Sequence, residues 1–309
     1  MFIFLSGIFT GLGLFLLGLR FLTEGLYNIN SQRLSSFIRT LDIPPVIGII
    51  TGIVVTCLLQ SSSGVTIIVI GLVEANLINL YQATPIIMGA NIGTTFTAQI
   101  LAFQPNQYIF IPFFLGILLS FVKNKKKIAF LGESLLGFSL IFIGIDLLGK
   151  GLSPLESQIR FQEILLEFGN NRLLGIVMGF CLTAIIQSSS TGVAILQSLA
   201  NNSLINITAA TSILLGQNIG TCVTTLLSSI PLGPSGKRAA LIHILFNLLG
   251  VIIIFPFVDI LCSLSLILSP YNPSRQIANV HSLFNIITTI IFLPLIPLLV
   301  KISKSIIRN

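Results

Sequence analysis

The chain has 309 residues, of which 54% are hydrophobic and only 8% carry a charge. Because an ordinary soluble domain has about 25% charged residues, this composition excludes a soluble enzyme or nucleic-acid-binding domain and predicts an integral membrane protein. The net charge of +7 comes from basic residues grouped between apolar segments, a distribution that indicates membrane topology and no nucleic-acid partner.

The first predicted repeat unit covers residues 1–127 and begins with an apolar span at 2–27. The N-terminus lacks the basic region and cleavage site of a signal peptide, so we interpret this span as retained. Residues 44–75 form another apolar stretch, interrupted by the tetrapeptide Gln-Ser-Ser-Ser at 60–63. Each arm is too short to cross about 30 Å of hydrocarbon, which predicts a re-entrant hairpin.

A polar break also interrupts the next predicted span, at about 83–103. Residues 89–95 read Gly-Ala-Asn-Ile-Gly-Thr-Thr, and because two glycines and an asparagine disfavour a continuous helix, we expect an unwound turn there. A further span at 108–122 precedes a lysine-rich loop, which the positive-inside rule places in the cytoplasm. Its lysines are Lys123, Lys125, Lys126 and Lys127.

The second predicted unit, residues 128–257, repeats these features with Gln60 and Gln187 offset by 127 positions. It contains a hairpin at about 173–200 and a broken helix at about 208–230. Because three crossings and one hairpin make an odd number of crossings, the second copy enters from the opposite side. The predicted fold class is an all-α integral membrane protein with two inverted repeats, each with a re-entrant helical hairpin and a broken transmembrane helix.

Residues 258–309 complete the chain with an interfacial segment and a final transmembrane helix. An apolar stretch at 257–269 is too short to cross, so a last span at 277–300 brings Lys301, Lys304 and Arg308 to the cytoplasmic side. We therefore expect a multi-pass protein of the plasma (inner) membrane, embedded in the lipid bilayer, with its N-terminus outside and its C-terminus in the cytoplasm.

The serines of both tetrapeptides lie where the second short helix of each hairpin begins. Unpaired N–H groups at a helix N-terminus, together with hydroxyl donors, bind an anion without Lys or Arg. Two such tips that meet near the middle of the membrane suit a tetrahedral oxyanion, and phosphate fits that description well. The residues predicted to bind phosphate are Ser61, Ser62, Ser63, Ser188, Ser189, Ser190 and Thr191.

Oxygen ligands for a hard cation accompany these serines in both units. The glutamine side chains supply carbonyl oxygens, and an unwound Gly-x-Asn-Ile-Gly turn would expose backbone carbonyls, a combination that suits Na⁺. Neither a cofactor nor a transition-metal site is expected, because the four cysteines lack ligand spacing. The residues predicted to bind Na⁺ are Gln60, Gln187, Asn91, Asn218, Thr94, Thr221, Gly89 and Gly216.

Paired Gln-Ser-Ser-Ser tetrapeptides, each followed by Gly-x-Asn-Ile-Gly-Thr, resemble the type II sodium-phosphate cotransporter family over essentially the whole chain. The resemblance implies sodium-coupled transport of inorganic phosphate, with residues 60–63 and 187–190 forming the substrate and ion site between inverted repeats. It also implies that Asn91, Asn218 and the threonines at 94 and 221 border that site. Many bacterial members carry a C-terminal domain that resembles the phosphate-regulatory PhoU protein, and we expect none in this chain.

Other functions stay open at this point. In one alternative the transported anion is sulfate or a carboxylate, and in another the protein is a membrane phosphate sensor that transports nothing. No nucleophile and base, Walker loop or metal motif points to an enzyme. Serine and threonine hydroxyls also serve as packing groups between membrane helices, although packing does not require the same tetrapeptide twice.

Three polar residues have no assigned role at this stage. His243 and His281 each begin a His-x-x-Phe-Asn sequence, for which we favour bonding between neighbouring helices over proton or gate chemistry. Glu74 is the only charge in residues 43–122, and it either contributes to coupling or faces water. Spaced glycines such as Gly7 and Gly11 allow close helix contacts and leave a homo-oligomer open.

Overall fold

The computed structural model describes residues 2–38, 44–103, 106–122, 125–152, 167 and 171–308. This part of the chain is helical and contains no β-strand. The helices, numbered in chain order, are α1 Phe2–Ile38, α2 Pro45–Leu59, α3 Ser62–Glu74, α4 Leu80–Leu101, α5 Phe110–Ser120, α6 Lys126–Leu152, α7 Arg172–Ile186, α8 Ser189–Asn201, α9 Ile207–Ser229, α10 Pro234–Ile254, α11 Val258–Leu268, α12 Pro273–Phe292 and α13 Ile296–Ile306.

Three stretches of the described chain are long and apolar enough to cross a membrane: Ser6–Leu26, Lys126–Leu152 and Pro234–Leu268. The last of these joins α10 and α11 through a 3-10 turn at Phe255–Phe257. Helices α12 and α13 make a fourth span if counted together, although they are bent by 82°. The prediction of an all-α integral membrane protein is therefore confirmed.

Two predicted spans differ in form from the structure. Residues 108–122 contain only the 11-residue helix α5 after a 3-10 turn, which is shorter than the roughly 20 residues that a crossing needs. The predicted last helix at 277–300 is not one straight rod, because the chain bends between α12 and α13 around Pro294. Proline lacks an N–H and clashes with the preceding helical turn, so a sharp bend there is expected.

Helices α1 and α6 run antiparallel in close contact. A Cβ atom added to Gly7 would lie 3.0 Å from the Cα of Gly151, and one added to Gly18 would lie 2.6 Å from the backbone nitrogen of Ile141. Residue numbers therefore rise along α1 in the direction in which they fall along α6, as expected for an antiparallel pair. Small residues allow backbones to approach this closely in a membrane, so Gly7 and Gly18 serve contacts within the chain.

Helices α2 and α4 run parallel, and their contact is repeated between α7 and α9. A Cβ on Gly52 would collide with the Ile86 carbonyl oxygen, and a Cβ on Gly89 would collide with the Ile49 carbonyl oxygen. In the second half the corresponding collisions pair Gly179 with the Ile213 carbonyl and Gly216 with the Ile176 carbonyl. The same backbone packing therefore recurs at the 127-residue offset of the sequence repeat.

The prediction that residues 83–103 and 208–230 form broken helices is wrong. Helix α4 continues through Gly89 and Gly93, and α9 continues through Gly216 and Gly220. The glycines are there for packing: a Cβ at Gly93 would lie 2.6 Å from the Thr56 Cβ, and one at Gly220 would lie 2.7 Å from the Thr183 Cβ. Any larger residue would collide at these contacts, which explains glycine at both positions despite a cost of about 1 kcal/mol in a helix interior.

Glu74 joins the first half to the second. Its two carboxylate oxygens accept hydrogen bonds from the backbone N–H groups of Gly233 and Gly236, at 2.8 and 2.7 Å. These groups lie in the first turn of α10, where N–H groups lack partners within the helix and negative charge is favourable. Glu74 thus caps α10 and ties the end of α3 to it.

Buried side chains form two large apolar clusters, one in contact with α8 and the other with α2 and α3. One cluster draws mainly on α8, α9, α11 and α12, and the other on α3, α4, α10 and α13. Helix α10 contributes Val251 to the first cluster and Phe246 to the second. It therefore packs between the halves, next to the ends of the short helices.

Candidate functional site

Each Gln-Ser-Ser-Ser tetrapeptide ends one short helix and starts the next. Gln60 follows α2 with a left-handed φ of 51°, and Gln187 follows α7 with a φ of 56°. The Gln60 N–H donates to the Thr56 carbonyl, and the Gln187 N–H donates to the Thr183 carbonyl, both at 2.7 Å. The backbone reverses in the same way at both sites, so the sequence repeat is also a repeat of local structure.

The next residue of each motif caps the following helix. The Ser61 hydroxyl oxygen accepts a hydrogen bond from the Gly64 N–H at 3.1 Å, and the Ser188 hydroxyl oxygen accepts one from the Thr191 N–H at 3.3 Å. The Thr191 hydroxyl also donates to Ser188, at 2.8 Å. Thr191 is buried, and it holds Ser188 in position through these two hydrogen bonds. It does not line the cavity described next.

The two tetrapeptides meet at one cavity of about 60 Å³. The first turns of α3 and α8 both border it, so two positive helix ends converge there. No lysine or arginine is among its lining residues, and four hydroxyls have no protein partner in the described chain, namely Ser62, Ser63, Ser189 and Ser190. The lining residues are Gln60, Ser61, Ser62, Ser63, Thr94, Thr97, Gln187, Ser188, Ser189 and Ser190.

The two glutamines differ in their hydrogen bonds. The Gln60 amide nitrogen donates to the Cys57 carbonyl at 2.6 Å, and its side-chain oxygen accepts from the Thr97 hydroxyl at 2.9 Å. Gln187 is exposed, and no side-chain hydrogen bond to it is found in the described chain. In this conformation the Gln187 oxygen is therefore the more accessible of the two.

Thr97 is a cavity residue that the sequence-based site lacked. A usable signal was present in the repeat, because Thr97 and Thr224 occupy equivalent positions at the 127-residue offset. Its function as the partner of Gln60 depends on a contact between α2 and α4, which the repeat does not show.

The predicted Na⁺ residues are only partly brought together. Thr94 lines the cavity with the two glutamines, whereas Thr221 does not. Both hydroxyls donate to a carbonyl of their own helix, Thr94 to Ala90 at 3.1 Å and Thr221 to Asn218 at 2.6 Å. Gly89 and Gly216 face neighbouring backbones inside continuous helices. The exposed carbonyls that the Na⁺ prediction required at those two glycines are therefore missing, because no unwound turn exists there.

Asn91 and Asn218 lie in buried polar clusters and do not line the cavity. Asn91 donates to the Asn247 side-chain oxygen at 3.1 Å, and its own side-chain oxygen lies 3.3 Å from the His243 Nε2 atom. In the other half, Asn285 donates to the Asn218 side-chain oxygen at 3.4 Å. The asparagines of both His-x-x-Phe-Asn sequences thus bond neighbouring helices.

A profile of the Na⁺/Pi-cotransporter family matches the chain twice, at residues 14–150 and 144–288. The chain belongs to the Na⁺/Pi-cotransporter family. Two matches to one profile follow from the internal duplication. The family is one of membrane transporters. Both repeated tetrapeptides, which line the cavity, lie inside the matched residues.

Relatives of this Na⁺/Pi-cotransporter family member include a bacterial protein of similar length. The "Uncharacterized protein YqeW" of Bacillus subtilis (strain 168) is 34% identical over 88% of this chain and 88% of its own length. The "Putative inorganic phosphate export protein YjbB" of Escherichia coli (strain K12) is 27% identical over 79% of this chain and 45% of that protein. The human "Sodium-dependent phosphate transport protein 2B" is 34% identical over 40% and 19%. No solved structure gives a significant match.

Proposed function

We propose that this chain is a secondary active transporter that moves inorganic phosphate together with Na⁺. The observation that carries the proposal is the convergence of two serine-lined helix N-termini on one cavity without basic residues. Names of relatives in the family include both a phosphate export protein and a sodium-dependent phosphate transport protein, which supports phosphate as the substrate. The direction of transport then follows the gradients.

Phosphate oxygens accept hydrogen bonds, and this cavity offers donors. The hydroxyls of Ser62 and Ser189 lie in the first turns of α3 and α8, beside the N–H groups of those turns. Such an arrangement binds an oxyanion by hydrogen bonds and by the helix dipoles. Because the donors come from both halves, movement of one half against the other would change the affinity.

Sodium coupling is supported by the lack of a positively charged side chain among the lining residues of the cavity. An anion placed away from water is costly unless an opposite charge compensates it, and no lining residue carries a positive charge. A Na⁺ ion bound through Gln187 and Thr94 would supply that charge. Each ion would then raise the affinity for the other, because the coupling is reciprocal.

The architecture that we propose is a pair of inverted repeats with re-entrant hairpins, working by alternating access. The antiparallel α1 and α6 begin the two units, which supports opposite orientations. The parallel course of α2 and α4 supports a hairpin, because α3 must return the chain before α4 begins. In alternating access, movement of one repeat against the other would open the cavity first to one side of the membrane and then to the other.

Uptake by proteoliposomes tests the proposal. Purified protein in vesicles without other transporters should accumulate radiolabelled phosphate when an inward Na⁺ gradient is imposed, and should lose accumulation when K⁺ replaces Na⁺. Sodium-independent uptake would contradict the coupling, and saturable binding without flux would indicate a sensor. Sulfate that competes as well as phosphate would contradict the proposed substrate.

A further inference from the structure

Among the described residues, one arginine outside the serine cavity, Arg275, has no partner of opposite charge. Arg275 lies half-buried in the first turn of α12, and its Nη1 atom donates to the Gln99 side-chain oxygen at 3.0 Å. No carboxylate pairs with it in the described chain. Arg20 and Arg172, in contrast, form ion pairs with Glu24 and Asp259.

The position of Arg275 makes its missing counter-charge unusual. A positive charge in the first turn of a helix is not compensated by the helix dipole. A guanidinium has five N–H donors, and that of Arg275 makes a single protein hydrogen bond here, so most of its donors remain available.

Polar groups continue from Arg275 along one side of α12. The Gln99 amide nitrogen donates to Asn279 and to Ser282, both at 3.1 Å. Residues 275, 279 and 282 follow the helical spacing that places side chains on one face. The Asn279 amide in turn donates to the Ser269 hydroxyl at 3.0 Å. This set, Arg275, Gln99, Asn279 and Ser282, is called the arginine cluster below.

The arginine cluster is connected to the serine cavity by two helices. Helix α4 carries both Gln99 and the cavity residue Thr97. On α8, Gln197 donates to the Ser274 carbonyl at 3.2 Å and to the Ala98 carbonyl at 3.0 Å. Gln197 is seven residues beyond Ser190, so the cluster lies roughly 10 Å along α8 from the cavity.

We propose that the arginine cluster is a second oxyanion site, which captures phosphate on one side of the membrane before it reaches the serine cavity. A guanidinium binds two phosphate oxygens at once, and its fixed charge raises the local anion concentration. The site lies at the open end of the second hairpin, toward which α8 runs from the tetrapeptide, because the first turn of α12 packs beside the C-terminal half of α8. The inference rests on phosphate transport as the proposed function.

Variants of Arg275 in proteoliposomes test the capture site. Arg275→Gln should raise the KM for phosphate about tenfold, the equivalent of one charge-assisted hydrogen bond, while the rate at saturating phosphate is retained. The increase should appear only when phosphate is added on the side of α12's first turn. The matched control Arg172→Gln removes a paired arginine and should leave KM unchanged.

A charge-preserving variant and a binding measurement complete the test. Arg275→Lys keeps the charge and loses the planar fork, so KM should rise about threefold; if Arg275→Gln does not yield monodisperse protein, this variant decides. Equilibrium binding of radiolabelled phosphate in detergent should show two sites in the wild type and one in Arg275→Gln. An unchanged KM in both variants, or two sites retained, would overturn the inference. Absence of wild-type transport would instead contradict the proposed function, and binding would still report on the cluster.

Discussion

At the scale of single residues, identical motifs have different surroundings. Gln60 is held by Thr97 and the Cys57 carbonyl, whereas Gln187 has no such hydrogen bonds in the described chain. The serines of both motifs, in contrast, border the same cavity. This asymmetry suggests a division in which the serines share the anion and Gln187 is the more available cation ligand in this conformation.

The serines are tested by Ser62→Ala and Ser189→Ala. Each change removes one hydroxyl donor from the cavity, so we expect the KM for phosphate to rise about tenfold, with membrane insertion retained. Uptake kinetics in proteoliposomes measure the effect. The control is Ser139→Ala, since the buried Ser139 hydroxyl bonds the Leu135 carbonyl within α6 and lies outside the cavity. Unchanged phosphate affinity in both test variants would remove these serines from the site.

The glutamines are tested by Gln187→Ala and Gln60→Ala. Loss of an available ligand oxygen should raise the Na⁺ concentration for half-maximal uptake about tenfold in Gln187→Ala. The change in Gln60→Ala should be smaller, because the Gln60 oxygen already accepts a hydrogen bond from Thr97. Sodium titration of phosphate uptake measures both. Equal shifts in the two variants would contradict the proposed asymmetry.

At the scale of helices, close backbone contacts hold together the helices within each repeated unit. Gly52 on α2 packs against a carbonyl oxygen of α4, and Gly179 on α7 packs against a carbonyl oxygen of α9. The first contact fixes the helix that ends at Gln60 against the helix that carries Thr94 and Thr97. Helix packing in membranes depends on such small residues, because there is little hydrophobic driving force between helices. The geometry of the cavity therefore depends on residues that do not line it.

The contact is tested by Gly52→Ala and Gly179→Ala. The added methyl would collide with a carbonyl oxygen of the facing helix, so we expect destabilisation of about 1–3 kcal/mol. Thermal unfolding in detergent measures the effect as a lower melting temperature. Gly71→Ala is the matched control, because a Cβ there meets nothing within 4 Å. A melting temperature equal to that of the control would show that α2 and α4 can separate without cost.

The cap that Glu74 forms on α10 is tested by Glu74→Gln. Glutamine keeps one acceptor oxygen, so one of two N–H groups loses its partner and the stability should fall by about 1–2 kcal/mol. The KM for phosphate should stay unchanged, because Glu74 does not line the cavity. Glu24→Gln provides the control, since Glu24 forms only an exposed pair with Arg20, which contributes little. A changed Na⁺ dependence would assign Glu74 to coupling instead.

At the scale of the whole molecule, two groups of charged residues lie near the ends of different helices. Near the first turn of α10 lie Glu74 and Arg238, and Arg238 bonds the Ile307 carbonyl near the C-terminus. Near the start of α7 lies the ion pair of Arg172 with Asp259. If the molecule spans the membrane as proposed, the first group is cytoplasmic and the second is outside.

Labelling with a membrane-impermeant maleimide tests this orientation. In a Cys181→Ala background, Tyr271→Cys should react from outside intact cells, because the Tyr271 side chain is 98% exposed before α12. Lys125→Cys should react only after the cells are opened. The two residues lie at the ends of different spans. A reversed labelling pattern would show that the protein has the opposite orientation in the membrane, without contradicting the fold.

The sequence by itself determined the membrane class, the duplication and the two helix breaks at Gln60 and Gln187, because hydropathy and repeated motifs act through local spacing. It did not determine the course of α4 and α9, since glycines that suggest an unwound turn also permit close packing, and only the facing helix decides between them. The bonds of Thr97 to Gln60 and of Asn91 to His243 were likewise decided by tertiary structure. They join residues on different helices, and such contacts depend on how helices pack and not on the order of residues within any one of them.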